Sequence, residues 1–269
     1  MNFIKYKFSD TYKYGETYFA DLNFEYHNQR IYRRIRVFLP ENYNQEERYP
    51  VLYMLDGQNL FGDNDCQFSS WYIEKEMHKW ISSGHKGFIV VGIDSPKSAL
   101  REDELCPYKV NKKINDGMNH PYGEVLGEFI AYKVKKVIDE SFSTLKDRKN
   151  TAIGGSSMGG LMAFYIKNYY PQIFSYSLCF SPAFFLYTRN RLNKTYLGER
   201  ERKDQGCYFF YVGGTGFEKD FVDDTIYVYQ EMVKRDNITA RLFIKSNAEH
   251  NEEAWEKVFL ISIKDWLEK

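Results

Sequence analysis

The amino-acid sequence predicts an α/β fold with a mostly parallel central sheet, antiparallel strands at its N-terminal side and helices on both faces. Three observations carry this. Short, nearly continuous apolar runs recur at 49–55, 88–93, 174–180, 207–212 and 241–244, and strands that are apolar throughout are those covered on both faces. Segments of helical period lie between them, and strands alternating with helices build parallel sheets through crossover connections. The first 40 residues differ from the rest and read as β-structure with alternating faces.

Taken in order, 17–24 is the first expected strand. In Ile35-Arg36-Val37-Phe38-Leu39, residues 35, 37 and 39 share an apolar face with Arg36 opposite, and Pro40 ends the run. The strands at 49–55 and 88–93 are apolar throughout. Between them a helix is expected over 69–81, with Ser69 as its cap. Residues 94–122 lack periodicity, and an irregular stretch of that length is usually functional. A helix over 123–142 follows, with Val125, Phe129, Tyr132, Val134, Val137 and Ile138 at roughly helical spacing. Further helices are expected over 159–170, ending at Pro171, over 223–234, and over 251–267. No internal repeat, low-complexity tract or Gly/Ser linker interrupts the chain, so a single domain over 1–269 is expected.

Composition excludes several classes. The 269 residues carry 37 Lys plus Arg against 37 Asp plus Glu, a net charge of zero. That balance argues against a nucleic-acid partner held by bulk electrostatics. A chain with 28% charged and 18% aromatic residues is not composed like a disordered one. No apolar run approaches the ~18 residues of a membrane span, and Met1-Asn2-Phe3-Ile4-Lys5-Tyr6-Lys7 offers no apolar core for a secretory signal. Cys66, Cys106, Cys179 and Cys207 are scattered without a C-x-x-C pattern, which points to thiols in a reducing, cytoplasmic setting.

The strongest motif is Gly155-Ser156-Ser157-Met158-Gly159, a G-x-S-x-G. A short apolar strand precedes it and a helix-compatible run follows. That is the strand-turn-helix setting of a nucleophile elbow, in which a strained turn lifts the serine above the sheet. A serine nucleophile needs a base. Of His27, His78, His85, His120 and His250, only His250 follows Ser157, and the order Ser, acid, His is the one this architecture uses. His250 falls between the last expected strand and the last helix, at the strand end where open α/β sheets bind ligands. The acid should lie between them after a strand. Glu218 and Asp220 both follow the run 207–212, and spacing does not choose between them. Asp223 and Asp224 fit less well, because a helix is expected to begin there and they would cap it. An oxyanion hole would take the backbone N–H of Met158 and one from the loop after an earlier strand, where Gln58 in Leu55-Asp56-Gly57-Gln58-Asn59 is the candidate.

Together these segments resemble the putative esterase family of α/β-hydrolases, the group of S-formylglutathione hydrolase, feruloyl and acetyl-xylan esterases, enterochelin esterases and the mycobacterial mycolyltransferases. The matching stretches are YPVLYMLDGQNLF (49–61), FIVVGID (88–94), ELCPY (104–108), GGSSMGGLMAFY (154–165) and EHNEEAW (249–255). The resemblance implies Ser157 as nucleophile, His250 as base and the N–H groups of Met158 and Gln58 as oxyanion hole. In many members the acid follows a Gly-Thr step at a strand end. Here Gly216-Phe217 follow Gly214-Thr215, so the acid is displaced; Glu218 is favoured, with Asp220 in reserve. The implied chemistry is hydrolysis of a small-molecule ester, acetyl- or feruloyl-type, through an acyl-enzyme and without a metal or organic cofactor. An acyltransferase would share the first half-reaction, and a non-catalytic binding protein could share the fold. Trp71 and the 94–122 segment are candidates for the substrate pocket, unless Trp71 packs under its helix.

Overall fold

The computed structural model describes residues 2–6, 14–62, 66, 69–97, 99–111, 120–198 and 205–268. Among the described residues nine strands form one sheet: β1 (Ile4–Tyr6), β2 (Glu16–Tyr26), β3 (Gln29–Leu39), β4 (Val51–Leu55), β5 (Ile89–Ile93), β6 (Thr151–Ser156), β7 (Tyr176–Phe180), β8 (Gly206–Gly213) and β9 (Ile238–Lys245). Their spatial order is β1-β2-β3-β5-β4-β6-β7-β8-β9. The pairs from β5 to β9 are parallel, and β1, β2 and β3 add antiparallel strands at one side. The expected mostly parallel sheet with an antiparallel start is present.

The N-terminal strands are longer than the sequence suggested. β2 and β3 pair over their whole lengths, and His27 and Asn28 turn the chain with φ of 49° and 59°. A two-residue turn with both φ positive matches the twist of the strands it joins, and asparagine tolerates that region. The missed part, 29–34, is Gln-Arg-Ile-Tyr-Arg-Arg, whose charged residues conceal the alternation.

The parallel strands are buried on both faces, as their apolar runs imply. Leu52, Met54, Val90, Leu178, Phe180, Phe209 and Tyr211 pack on one face with Met77 and Trp80 of α1 (Ile73–Ser82) and Trp255, Phe259 and Ile263 of α8 (Glu252–Leu267). Val51, Tyr53, Val91, Ile153, Tyr208 and Phe210 face the other way. There they meet α3 (Gly123–Glu128), α4 (Lys135–Ser141), α5 (Met158–Tyr169) and α7 (Lys219–Met232). A shorter helix, α6 (Arg189–Thr195), adds Leu192 to that face.

Local readings are corrected at several places. α1 begins at Ile73, so Ser69 does not cap it; Ser70 Oγ instead accepts from the Tyr72 N–H at 3.0 Å. The helix expected over 123–142 carries a π-helical stretch, Phe129–Val134, between α3 and α4. α7 begins at Lys219, so Asp223 and Asp224 lie inside it and not at its cap. The 94–122 segment contains a helix α2 (Ala99–Glu104) whose six residues are too few to show a period; 112–119 lie outside the described residues. This segment is pinned to the sheet by a part-buried ion pair: Arg33 of β3 bonds the buried Glu104, which also accepts from Tyr122 Oη at 2.9 Å. Trp71 is only 2% exposed and packs on Phe180 and Trp255, so it belongs to the core and not to a pocket wall.

The chain runs from β4 outward to β5, then crosses back to place β6 on the other flank of β4. Strand order therefore reverses at β4 and β6. Open α/β sheets bind ligands outside the carboxyl ends of the strands at such a point. Gln58 follows β4 there, and Ser157 follows β6.

Candidate active site

Ser157 is the one residue between β6 and α5. Its φ of 57° and ψ of −122° are strained for a side chain, at a cost of about 1–3 kcal/mol. The surroundings hold it there. Its N–H donates to the Phe180 C=O at 2.9 Å, and its C=O accepts from Ala183 and Leu161 N–H at 3.1 and 3.0 Å. The motif glycines allow the strand and helix to meet: a Cβ on Gly155 would stand 2.7 Å from the backbone of Gly159. Ser157 keeps partial exposure, whereas Ser156 is buried.

The loop after β4 is fixed by a buried carboxylate. Asp56 has φ 56° and takes a bidentate bond from Arg101 of α2, Nε to Oδ1 and Nη2 to Oδ2, both at 2.7 Å. Burial opposes its ionisation, yet the Arg101 charge and hydrogen bonds from Arg101, Ser95 and Gln58 hold its carboxyl below the usual aspartate value. Gln58 clasps Ser95 at both ends of its amide: Oε1 accepts from the Ser95 N–H at 3.0 Å and Nε2 donates to Ser95 Oγ at 3.1 Å. The side chain is thereby held, and the backbone N–H of Gln58 sits in a tight 3₁₀ turn, Gly57–Asn59. Gly57 is required for this approach, because a Cβ would stand 2.6 Å from the Gly92 backbone. The same Asp56 abuts the elbow: a Cβ on Gly159 would lie 3.1 Å from its Oδ2. One buried anion thus touches the turns that carry both Gln58 and Met158.

His250 precedes Asn251, whose Oδ1 accepts from the Ala254 N–H at 3.0 Å and caps α8. The imidazole packs back on Trp255 at 5.0 Å, the contact that a residue just before a cap makes with the fourth helical position. Phe221 covers one ring face at 4.5 Å. His250 Nδ1 lies 3.4 Å from Glu218 Oε1, without good hydrogen-bond geometry. Glu218 is fully buried, and its Oε1 accepts from Ser181 Oγ, which itself accepts from Trp255 Nε1 at 2.9 Å. Asp220, by contrast, is exposed in the first turn of α7.

The structure therefore brings Glu218 to His250, sets Ser157 in a strained turn at the end of β6, two strands across the sheet from β8, and links the Gln58 and Met158 turns through Asp56. Sequence reasoning missed three supporting residues. Ser181 follows β7 with φ 44° and donates its N–H to the Tyr211 C=O at 2.7 Å; its only sequence signal was a serine before a proline at a strand end. Arg101 and Ser95 lay in the stretch without periodicity. No group of three or more His, Cys, Asp or Glu side chains suited to a metal occurs among the described residues. The four cysteines form no disulfide among those residues, and burial pushes the Cys106 and Cys179 thiols up to about 12. No helix among them is long and apolar enough to cross a membrane.

Comparison with known proteins agrees with this architecture. A family model described as "Putative esterase" matches residues 29–259. An endo-1,4-beta-xylanase/feruloyl esterase of Xylanibacter ruminicola is 28% identical over 153 residues, which are 52% of this chain and 18% of that relative's length. A siderophore hydrolase from Aspergillus nidulans superposes with a TM-score of 0.68 at 16% identity, over 91% of this chain and 94% of that one. An S-formylglutathione hydrolase from Agrobacterium tumefaciens does so with 0.66 at 17% identity, over 100% and 99%.

Proposed function

The chain belongs to the putative esterase family, a group of α/β-fold carboxylic ester hydrolases, and on that premise we propose that it is a serine esterase working through Ser157, His250 and Glu218. The observation that carries this reading is the buried Glu218 carboxylate 3.4 Å from His250 Nδ1, at the sheet end where Ser157 stands in its strained turn.

Each residue has a physical task. Glu218 holds the imidazole in the tautomer that leaves Nε2 free to accept a proton, and stabilises the cation that forms. Ser157 gives that proton to His250 as its Oγ attacks the ester carbonyl. The carbonyl oxygen becomes an anion between the N–H groups of Met158 and Gln58. Both stand in the first turn of a helical segment, where N–H groups lack an intrahelical acceptor. Removing one such donor costs about 2.7–4 kcal/mol in the barrier. His250 then protonates the departing alcohol, leaving the acyl group on Ser157. Water enters and gives a proton to His250 as it adds to the acyl carbon; the second tetrahedral intermediate collapses by breaking the bond to Ser157 Oγ, which takes that proton back from His250 as the acid leaves.

The substrate class we infer is a small acyl ester, of acetyl or feruloyl type, and the reading takes 1–269 as one catalytic domain in a cytoplasmic setting. The single sheet and the pooled cores on its two faces support one domain. Thiols that form no disulfide support a reducing compartment. The test is Ser157→Ala assayed on p-nitrophenyl acetate. Turnover should fall by several orders of magnitude while the circular dichroism spectrum and unfolding cooperativity are kept. Full activity in the variant would overturn the mechanism.

A further inference from the structure

We propose that Phe217 determines specificity for the leaving alcohol: its exposed ring, with Phe185 behind it, is an apolar wall that favours esters whose alcohol carries an aromatic ring. The proposal rests on the reading of His250 as the group that protonates that alcohol.

Phe217 is 57% exposed, the most exposed of the described phenylalanines. The other rings at His250 are spent on the core, since Phe221 is 1% and Trp255 4% exposed. The exposure follows from the backbone. Gly216–Glu218 is a single 3₁₀ turn entered through Gly216 at φ 57°. Successive residues on such a turn point about a third of a circle apart, so directing Glu218 inward to His250 turns Phe217 outward at the rim. The two residues that displace the acid from the Gly-Thr step are thus the ones that create the exposed ring.

The ring is not loose. Its centroid lies 5.2 Å from Phe221 and 6.3 Å from Phe185, both nearly edge-to-face, and 5.4 Å from the imidazole of His250 at 82°. A histidine that protonates an alcohol must have that oxygen within hydrogen-bond reach. A substituent on that alcohol that extends along the imidazole then meets a ring centred 5.4 Å from the imidazole centre. An aryl group there gains an edge-to-face or offset partner and covers apolar surface, whereas a short alkyl alcohol reaches little of it.

The experiment compares benzyl acetate with ethyl acetate, which share the acyl group and hence the acyl-enzyme. In Phe217→Ala, kcat/KM should fall about tenfold further for benzyl acetate than for ethyl acetate, mainly through KM. Phe217→Tyr, which keeps the ring, should restore the wild-type ratio. An unchanged ratio in Phe217→Ala, whether both esters slow together or neither does, would overturn the proposal and leave the esterase reading intact. If the wild-type protein hydrolyses neither ester in a Ser157-dependent way, the esterase reading falls and this proposal with it.

Discussion

The turn that carries Ser157 and the loop that carries Glu218 end strands on either side of β7, yet they are held by different means. The serine turn is held by main chain. Gly155 lies against Gly159, and the Ser157 N–H and C=O are bonded to Phe180, Ala183 and Leu161. The acid loop is held by side chains. Ser181 and Trp255 form a relay of hydroxyl and indole onto the Glu218 carboxylate, while Phe221 and Trp255 wall in the histidine. Main-chain packing demands glycine at fixed offsets and so leaves a motif. Side-chain relays draw on residues 37 and 74 positions apart and leave none.

That difference can be broken or sharpened by mutation. The largest effect is expected at the acid. Glu218→Gln keeps the shape but loses the charge that orients and stabilises the imidazole, and kcat should fall by about 10⁴; stopped assays with p-nitrophenyl acetate would measure it. A loss confined to KM would argue that the carboxylate only shapes the pocket. Next comes the elbow. Gly155→Ala puts a methyl 2.7 Å from the Gly159 backbone, where nothing can swing away. It should destabilise the fold by about 1–3 kcal/mol, read by urea unfolding. An unchanged midpoint would show that the turn is less constrained by its backbone than argued. The smallest effect belongs to Asp220→Asn, an exposed position in the first turn of α7. Activity should be kept and stability should move by no more than about 0.5 kcal/mol. A collapse of kcat there, with Glu218→Gln active, would exchange the two acids.

The same contrast explains what could be read from sequence. The parallel strands were legible because burial on both faces leaves apolar runs, as in Val51–Leu55 and Ile89–Ile93. Ser157 and His250 were singled out by a backbone motif and by chain order, and the roles proposed for them are what the assays above test. The choice between Glu218 and Asp220 was not legible, since it turns on where the 3₁₀ turn Gly216–Glu218 gives way to α7, which leaves Glu218 inward and Asp220 exposed, and spacing alone does not fix that. The Arg101–Asp56 pair was hidden for a related reason. Its cation sits on a six-residue helix with no period of its own, and it is joined to the loop after β4 across 45 positions by a part-buried ion pair that tertiary packing alone creates. Trp71 stayed open between wall and core because a tryptophan just before a helix reads equally well as either, and only packing decides.

The mechanism stands or falls on Ser157 being the activated nucleophile. Treating the native protein with a fluorophosphonate and mapping the adduct by peptide mass spectrometry tests it most directly. Stoichiometric modification of Ser157 is expected, and its loss in His250→Asn. Labelling at Ser156, Ser181 or another serine, or no labelling of the folded protein, would contradict it.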